Sequence, residues 1–152
     1  MGTAGTALSV AFASACIGRI AWGWLSDRWF ASHATTLAVI AGASAVAIAA
    51  MASGVSGPSL WLIMVMIGLS SIAWNGVYMA LITEPAARDG LGRATGRGLT
   101  AIYAGSALVP PLLGAVKDAT GSWPAAWGIA IGAVLLAGVV LAGTSRRVVA
   151  VV

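Results

Sequence analysis

Long apolar runs separated by short polar stretches extend over almost the whole of this 152-residue chain. Each run has about the twenty residues that a helix needs to cross the hydrocarbon of a bilayer. The pattern predicts five transmembrane helices, at about 6–25, 35–52, 60–83, 95–116 and 124–142. Strands of a membrane barrel would alternate polar and apolar residues, whereas residues 129–136 carry no polar side chain. We therefore predict an all-α membrane protein with a single transmembrane domain over residues 1–152.

The composition supports this prediction and narrows the function classes. The chain is 60% hydrophobic and 8% charged, with a mean hydropathy of +0.98, whereas a soluble domain carries about 25% charged residues. The lipid bilayer is the expected surrounding. The sequence contains no metal-ligand cluster, catalytic triad or phosphate-binding loop, so neither an enzyme nor a cofactor is expected. A single cysteine, Cys16, excludes an intrachain disulfide, and we expect its side chain to face another helix.

The basic residues are distributed unevenly over the two sides of a five-helix alternation. Lys117 alone would lie on one side, and Arg19 falls inside the first helix. The remaining six would lie on the other side: Arg28, Arg88, Arg93, Arg97, Arg146 and Arg147. An excess of Lys and Arg marks the cytoplasmic side, so we predict that the N-terminus lies outside and the C-terminus lies in the cytoplasm. The net charge of +4 therefore reflects topology and does not indicate binding of nucleic acid.

A glycine and an aspartate recur at the same spacing near the ends of two predicted helices. Gly23-x-x-x-Asp27 closes the first and Gly114-x-x-x-Asp118 closes the fourth. The two helix exits would lie on opposite faces of the membrane, which is typical of inverted-topology repeats. A three-helix unit then covers helices three to five, and helices one and two are the end of a preceding unit.

Gly23-x-Leu25-Ser26-Asp27-Arg28 resembles G-x-L-[A/S]-D-R, the signature turn of the major facilitator superfamily of secondary transporters. Residues 92–96 and 110–123 are similar to the eleventh-helix region of many bacterial members. The resemblance implies the C-terminal half of such a transporter, covering the last five of the usual twelve helices as a partial six-helix bundle with inverted three-helix repeats. One departure is the stretch 29–33, Trp-Phe-Ala-Ser-His, which stands where the family usually has glycine and further basic residues.

The family resemblance implies further properties of the intact protein. It would lie in the bacterial inner membrane and move a small solute by alternating access. The substrate path would run between this part and a missing N-terminal half. A different interpretation is a stand-alone structural or regulatory membrane protein that associates with other helices and transports nothing.

Four residues are candidates for a cytoplasmic latch, in which Asp27 caps a helix of the other half and Arg28 pairs with an acid. Gly23 belongs to the same turn, and Glu84 is the expected partner of Arg28. Carboxylates are stabilised at helix N-termini. The alternative is that these are solvated interfacial charges that contribute under about 1 kcal/mol. His33 falls in the adjacent loop, where we expect it to be solvated.

Arg19 is the candidate for substrate recognition. It lies about 9 Å from the cytoplasmic end of its helix, at a depth where an arginine is costly. Its planar fork suits a carboxylate, and Arg19-x-x-x-Gly23 resembles the eighth helix of monocarboxylate and oxalate:formate carriers, which implies an organic anion as substrate. The acid that precedes this arginine in monocarboxylate carriers is Ala15 here. The alternative is an arginine that extends to the interface or makes a structural hydrogen bond.

Polar and aromatic residues on the third and fourth helices are further candidates for substrate binding, since the resemblance implies that helices one, three and four face the cavity. They are Asn75, Tyr78, Tyr103 and Ser106, with Trp74 beside them. Hydrogen bonds between helices, worth about 0.6 kcal/mol each, are the alternative. Two further motifs concern helix shape. Pro110-Pro111 should kink or break the fourth helix, and Gly128-x-x-x-Gly132 should allow close helix packing.

Overall fold

The computed structural model describes residues 2–84 and 90–149, with side chains for residues 4–84 and 90–144. The helices there are α1 (Gly2–Trp29), α2 (His33–Ala52), α3 (Pro58–Ile67), α4 (Asn75–Thr83), α5 (Leu91–Thr120) and α6 (Trp123–Val149). A π-helical turn, Gly68–Ile72, joins α3 to α4. These three pieces form one segment of membrane-spanning length, Pro58–Thr83, which we call the third span.

The described residues contain five helical segments long and apolar enough to cross a membrane. The segments are Ala4–Trp29, His33–Ala52, Pro58–Thr83, Leu91–Thr120 and Trp123–Thr144. No strand occurs in the described part of the chain. The prediction of an all-α protein with five membrane-length helices is therefore confirmed.

Several helices extend further than hydropathy alone predicted, because their polar end residues remain helical. α1 continues through Gly23 and Arg28 to Trp29, and α5 continues through Gly114 to Thr120. The two Gly-x-x-x-Asp motifs therefore lie within the last turns of helices and not beyond them. The actual ends have local causes. Ser32 caps α2 by accepting a hydrogen bond from the Thr35 N–H at 3.2 Å, and Gly121, at φ +67°, ends α5.

The two prolines do not break α5, which runs uninterrupted from Leu91 to Thr120 with Pro110 and Pro111 inside it. Each proline removes one backbone donor. The helix has several turns on either side of them, so its remaining ladder bonds hold the segment together. Of the predicted kink or break, the break is therefore wrong.

Small residues determine where the helices pack. α1 lies against the third span, and α2 lies between the third span and α6. A Cβ on Gly68 would meet the carbonyl oxygen of Ala11, and one on Gly18 would lie 2.7 Å from the Cβ of Ala73. A Cβ on Gly138 of α6 would lie 3.1 Å from the Cβ of Ala41. Such close approach is the usual way in which membrane helices associate.

Two expectations about small residues are not met. Nothing lies within 4 Å of a Cβ built on Gly128 or Gly132, so this motif makes no close contact with the described side chains. Cys16 is exposed and does not face a neighbouring helix, whereas the preceding Ala15 is buried. The buried stripe of α1 passes through Ala11, Ala15 and Gly18, and Cys16 lies one helical step away from it.

Candidate functional site

The π turn of the third span is held by α1. The indole N–H of Trp22 donates to the carbonyl oxygen of Leu69, which lies within the turn, at 2.6 Å. The adjacent Ser70 hydroxyl donates to the Met66 carbonyl at 2.7 Å. A π turn disturbs the regular backbone hydrogen bonds of a helix. Through the two side-chain bonds, the carbonyls of Leu69 and Met66 each accept a hydrogen bond. The glycine contacts of Gly18 and Gly68 bring α1 close enough for the indole to reach the third span.

A cleft opens on the other side of the third span, between it and α5. Its volume is about 630 Å³, and it is open towards the outside of the bundle. It is lined by Trp74, Tyr78, Ala101, Ile102, Gly105, Ser106, Val109 and Pro110. The rings of Trp74 and Tyr78 meet edge to face, with centroids 5.5 Å apart. The structure thus brings Tyr78 and Ser106 together with Trp74, in a wall that is mainly apolar and has no charged side chain.

Two of the predicted substrate-binding residues lie away from this cleft. Tyr103 is 67% exposed on α5, and it is not among the lining residues. Arg19 is exposed on α1, a helix that contributes nothing to the lining. Of the three helices expected to face the substrate cavity, the third span and α5 line this cleft and α1 does not.

Asn75 belongs to a buried polar pair beside the cleft. The Oδ1 atom of Asn75 and the Oγ atom of Ser71 are buried without a hydrogen-bond partner among the described residues. Asn75 follows Trp74 directly in the chain and Ser71 precedes Trp74 by three positions, although neither Ser71 nor Asn75 lines the cleft itself. The pair therefore lies next to the aromatic wall of the cleft. The sequence analysis did not select Ser71 as a candidate, because no residue type or spacing near it indicates a π turn.

A second polar cluster joins three helices at the end of the bundle that contains the α1–α2 turn, which we call the basic end. The Thr36 hydroxyl donates to the Ser26 Oγ at 3.0 Å, and Ser26 Oγ lies 2.7 Å from His33 Nδ1. His33 Nε2 lies 3.4 Å from a carboxylate oxygen of Glu84. Thr36 and Ser26 are buried, whereas the side chain of Glu84 is 75% exposed. The cluster thus connects α1 and α2 to the end of the third span.

One arrangement of the hydrogens is consistent with the contacts of this cluster. Because Ser26 Oγ accepts from Thr36, its own hydrogen can be donated to Nδ1 of His33. The N–H of His33 then lies on Nε2, where it faces the Glu84 carboxylate. Ser26 is 4% exposed, so its hydroxyl is closed to any substrate. Ser26, His33 and Glu84 therefore connect neighbouring helices, and we call this set of contacts the tie.

The structure changes the predicted partners of the latch residues. Glu84 is paired with His33 and not with Arg28, and His33, the first residue of α2, is partly buried and not a solvated loop residue. Arg28 lies with its guanidinium carbon 6.0 Å from the centroid of the Trp24 ring, within the range of a cation–π contact. Gly23 and Asp27 lie on the last two turns of α1, where Asp27 is exposed.

The described basic residues outside the middle of α1 lie at the basic end of the bundle, except Lys117. The contact of His33 with Glu84 shows that the α1–α2 turn and the end of the third span lie at the same end. Arg93 and Arg97 follow at the start of α5, and both are exposed. Lys117 lies near the far end of α5, 3.1 Å from Asp118. Arg88 and the side chains of Arg146 and Arg147 lie outside the described residues.

No protein family, curated protein or solved structure matches this chain. Within the described residues, no three His, Cys, Asp or Glu side chains are grouped in a way that could hold a metal ion. The geometry therefore offers two features with functional potential: the cleft with its neighbouring polar pair, and the tie at the basic end.

Proposed function

We propose that this chain is the C-terminal transmembrane part of a secondary transporter of the major facilitator type, which moves a small solute by alternating access. The observation that carries the proposal is the cleft between the third span and α5, where Trp74, Tyr78 and Ser106 come together. Mostly apolar pockets with a few polar groups are the usual form of small-molecule sites. An interrupted helix beside the pocket is typical of transporter binding sites.

The open side of the cleft is where the rest of the transporter would close it. Not one residue of the most apolar stretch of α5 is buried within the described chain. In the proposal this face lies against the N-terminal half and becomes the second wall of the substrate path. The tie between His33 and Glu84 holds the basic end together while the two halves move.

The proposed location is the bacterial inner membrane, with the N-terminus outside and the C-terminus in the cytoplasm. The support is the position of Arg28, Arg93 and Arg97 at the basic end, because Lys and Arg are enriched on the cytoplasmic side. The organic anion expected from Arg19 has no support from the cleft, since no cation lines it.

The experiment compares two tyrosines that differ in their position. Uptake of a panel of small carboxylates, alcohols and amines is measured in vesicles that contain the chain, alone and together with whatever is encoded upstream of Met1. We expect at least one solute to accumulate. Tyr78→Ala should reduce its uptake about tenfold, since that ring lines the cleft. Tyr103→Ala, at a side chain 67% exposed outside the cleft, should leave uptake nearly unchanged at equal membrane levels.

The rival function is a stand-alone structural or regulatory membrane protein, and the exposed face of α5 would serve it equally well as a surface for binding other helices. The same experiment separates the two. Absence of uptake for every solute, both with and without the upstream segment, would reject transport. Equal loss of uptake in the Tyr78 and Tyr103 variants would reject the cleft as the binding site.

A further inference from the structure

The unpartnered polar pair at the π turn differs from the other hydroxyls of the helices. Several helical hydroxyls of the described chain donate to the carbonyl four residues earlier, among them Ser9, Ser14, Ser70, Thr83, Thr100 and Thr120. Ser71, the direct neighbour of Ser70, has no partner. Both serines lie within the π turn, so the missing local bond is particular to Ser71. Asn75, one turn further on, also has a buried oxygen without a partner.

We propose that Ser71 and Asn75 form a subsite for one uncharged hydroxyl group of a solute that occupies the adjacent cleft. This inference rests on the proposed transport function and specifies its substrate class. A buried polar atom without a partner loses the hydrogen bonds that it made in water. Neither atom is open to the cleft here, so in the proposal the side chains of Ser71 and Asn75 turn towards the neighbouring Trp74 when a solute supplies these bonds.

The chemistry of the two atoms restricts the group that fits. An amide oxygen only accepts hydrogen bonds, whereas a serine hydroxyl both donates and accepts. The group must therefore donate to Asn75 Oδ1 and can accept from Ser71. A hydroxyl does both, whereas an ether or a carboxylate has no hydrogen to donate. An ammonium would bury a charge, and no acidic residue lines the cleft.

The cleft itself indicates the rest of the solute. The aromatic rings of Trp74 and Tyr78 and the aliphatic side chains of Ile102 and Val109 line a volume of about 630 Å³. An apolar or aromatic body fits these walls. The expected substrate class is thus a small uncharged alcohol with an apolar body, which differs from the organic anion that Arg19 would suggest.

The test uses three probes with one aromatic body and different polar groups: 2-phenylethanol, its methyl ether and phenylacetate. Their binding to the full chain in lipid nanodiscs is measured by equilibrium dialysis, and the uptake of each probe by empty nanodiscs of the same lipid is subtracted to remove partitioning. We expect the alcohol to bind about fivefold more tightly than the ether, the effect of one hydrogen bond, and phenylacetate to bind most weakly.

The variants place this preference at the pair. Asn75→Leu removes the acceptor and should bind alcohol and ether equally, with Asn75→Ala as a second replacement if it folds poorly. Ser71→Ala removes a donor that both probes can use, so it should weaken both and keep the preference. Ser70→Ala is the matched control, since that neighbouring hydroxyl already bonds to Met66, and it should keep the preference. Equal binding of alcohol and ether to the wild type, or a preference that survives in Asn75→Leu, would overturn the inference.

A permanently bound water could satisfy the pair in the same way as a solute hydroxyl. Thermal unfolding measured without a probe distinguishes the two. If the pair is empty at rest, Ser71→Ala removes an unsatisfied group, and its melting temperature should be equal to or above that of the wild type. A decrease as large as that of Ser70→Ala would show a permanently held water and overturn the solute subsite. A preference for the alcohol without any uptake would reject the transport function but support the subsite. Uptake without this preference would support transport and reject the subsite.

Discussion

α2 and α5 are both apolar enough to cross a membrane, yet they differ completely in how much the protein buries them. The most apolar window of α2 has a mean hydropathy of 1.9 and is 39% buried, whereas that of α5 has a mean hydropathy of 1.6 and none of it is buried. Hydropathy therefore accounts for insertion of both helices into lipid, but it does not account for their packing.

The difference follows from the size and position of the side chains. The buried positions of α2 include alanines and hydroxyl residues, among them Ala34, Thr36 and Ala47. α5 instead exposes Tyr103, Leu108 and Leu112. Lipid chains are as apolar as leucine, so large side chains gain little by leaving lipid, and small residues that allow close backbone approach determine which helices associate.

The largest expected effect comes from a methyl group added at a tight contact. Gly68→Ala should lower the free energy of unfolding by about 3 kcal/mol, since the new Cβ would meet the backbone carbonyl of Ala11. Gly114→Ala on α5, where nothing lies within 4 Å, should change it by less than about 0.5 kcal/mol. Unfolding in mixed detergent micelles provides the measurement. Similar losses in both variants would remove the contrast between the packed and the exposed helices.

A smaller effect is expected at the basic end. His33→Phe keeps a ring but leaves the buried Ser26 hydroxyl without its acceptor, so we expect a loss of about 2 kcal/mol. The control is the pair at the far end of α5, Lys117 and Asp118, whose side chains are 39% and 76% exposed. Asp118→Asn should cost under about 0.5 kcal/mol. If His33→Phe were equally harmless in the same unfolding assay, the cluster would not stabilise the helix ends.

The smallest effect concerns the hydrogen bond at the π turn. Trp22→Phe removes the indole donor that reaches Leu69, and we expect a loss of about 1 kcal/mol, as is typical for bonds between membrane helices. Trp123→Phe is the matched change on the sparsely packed side, at a side chain 54% exposed. Its stability should remain close to wild type, and a larger loss there than at Trp22 would contradict the assignment of this bond to the packed core.

The sequence predicted part of the site and missed part of it. Tyr78 and Ser106 were identified from polar and aromatic groups at membrane depth, and both line the cleft. Tyr103 and Arg19 satisfied the same criterion but lie outside it, because depth in the membrane does not specify which side of a helix faces a neighbour. The sequence predicted a solvated His33, whereas the structure places it in contact with Ser26, seven residues away, and with Glu84, at the end of another span. Partners at such distances along the chain are not visible in the local sequence.

By itself the sequence determined that this protein is helical, that five of its segments can span a bilayer, and where the basic residues fall along the chain. These properties depend on transfer from water to lipid, which is a sum over neighbouring residues. Only the tertiary structure decided that α5 is exposed, that Glu84 meets His33, and that Ser71 and Asn75 lack partners. The physical reason is that packing depends on the rotation of each helix, and the π turn at Gly68–Ile72 shifts that rotation within the third span without any signal in the hydropathy.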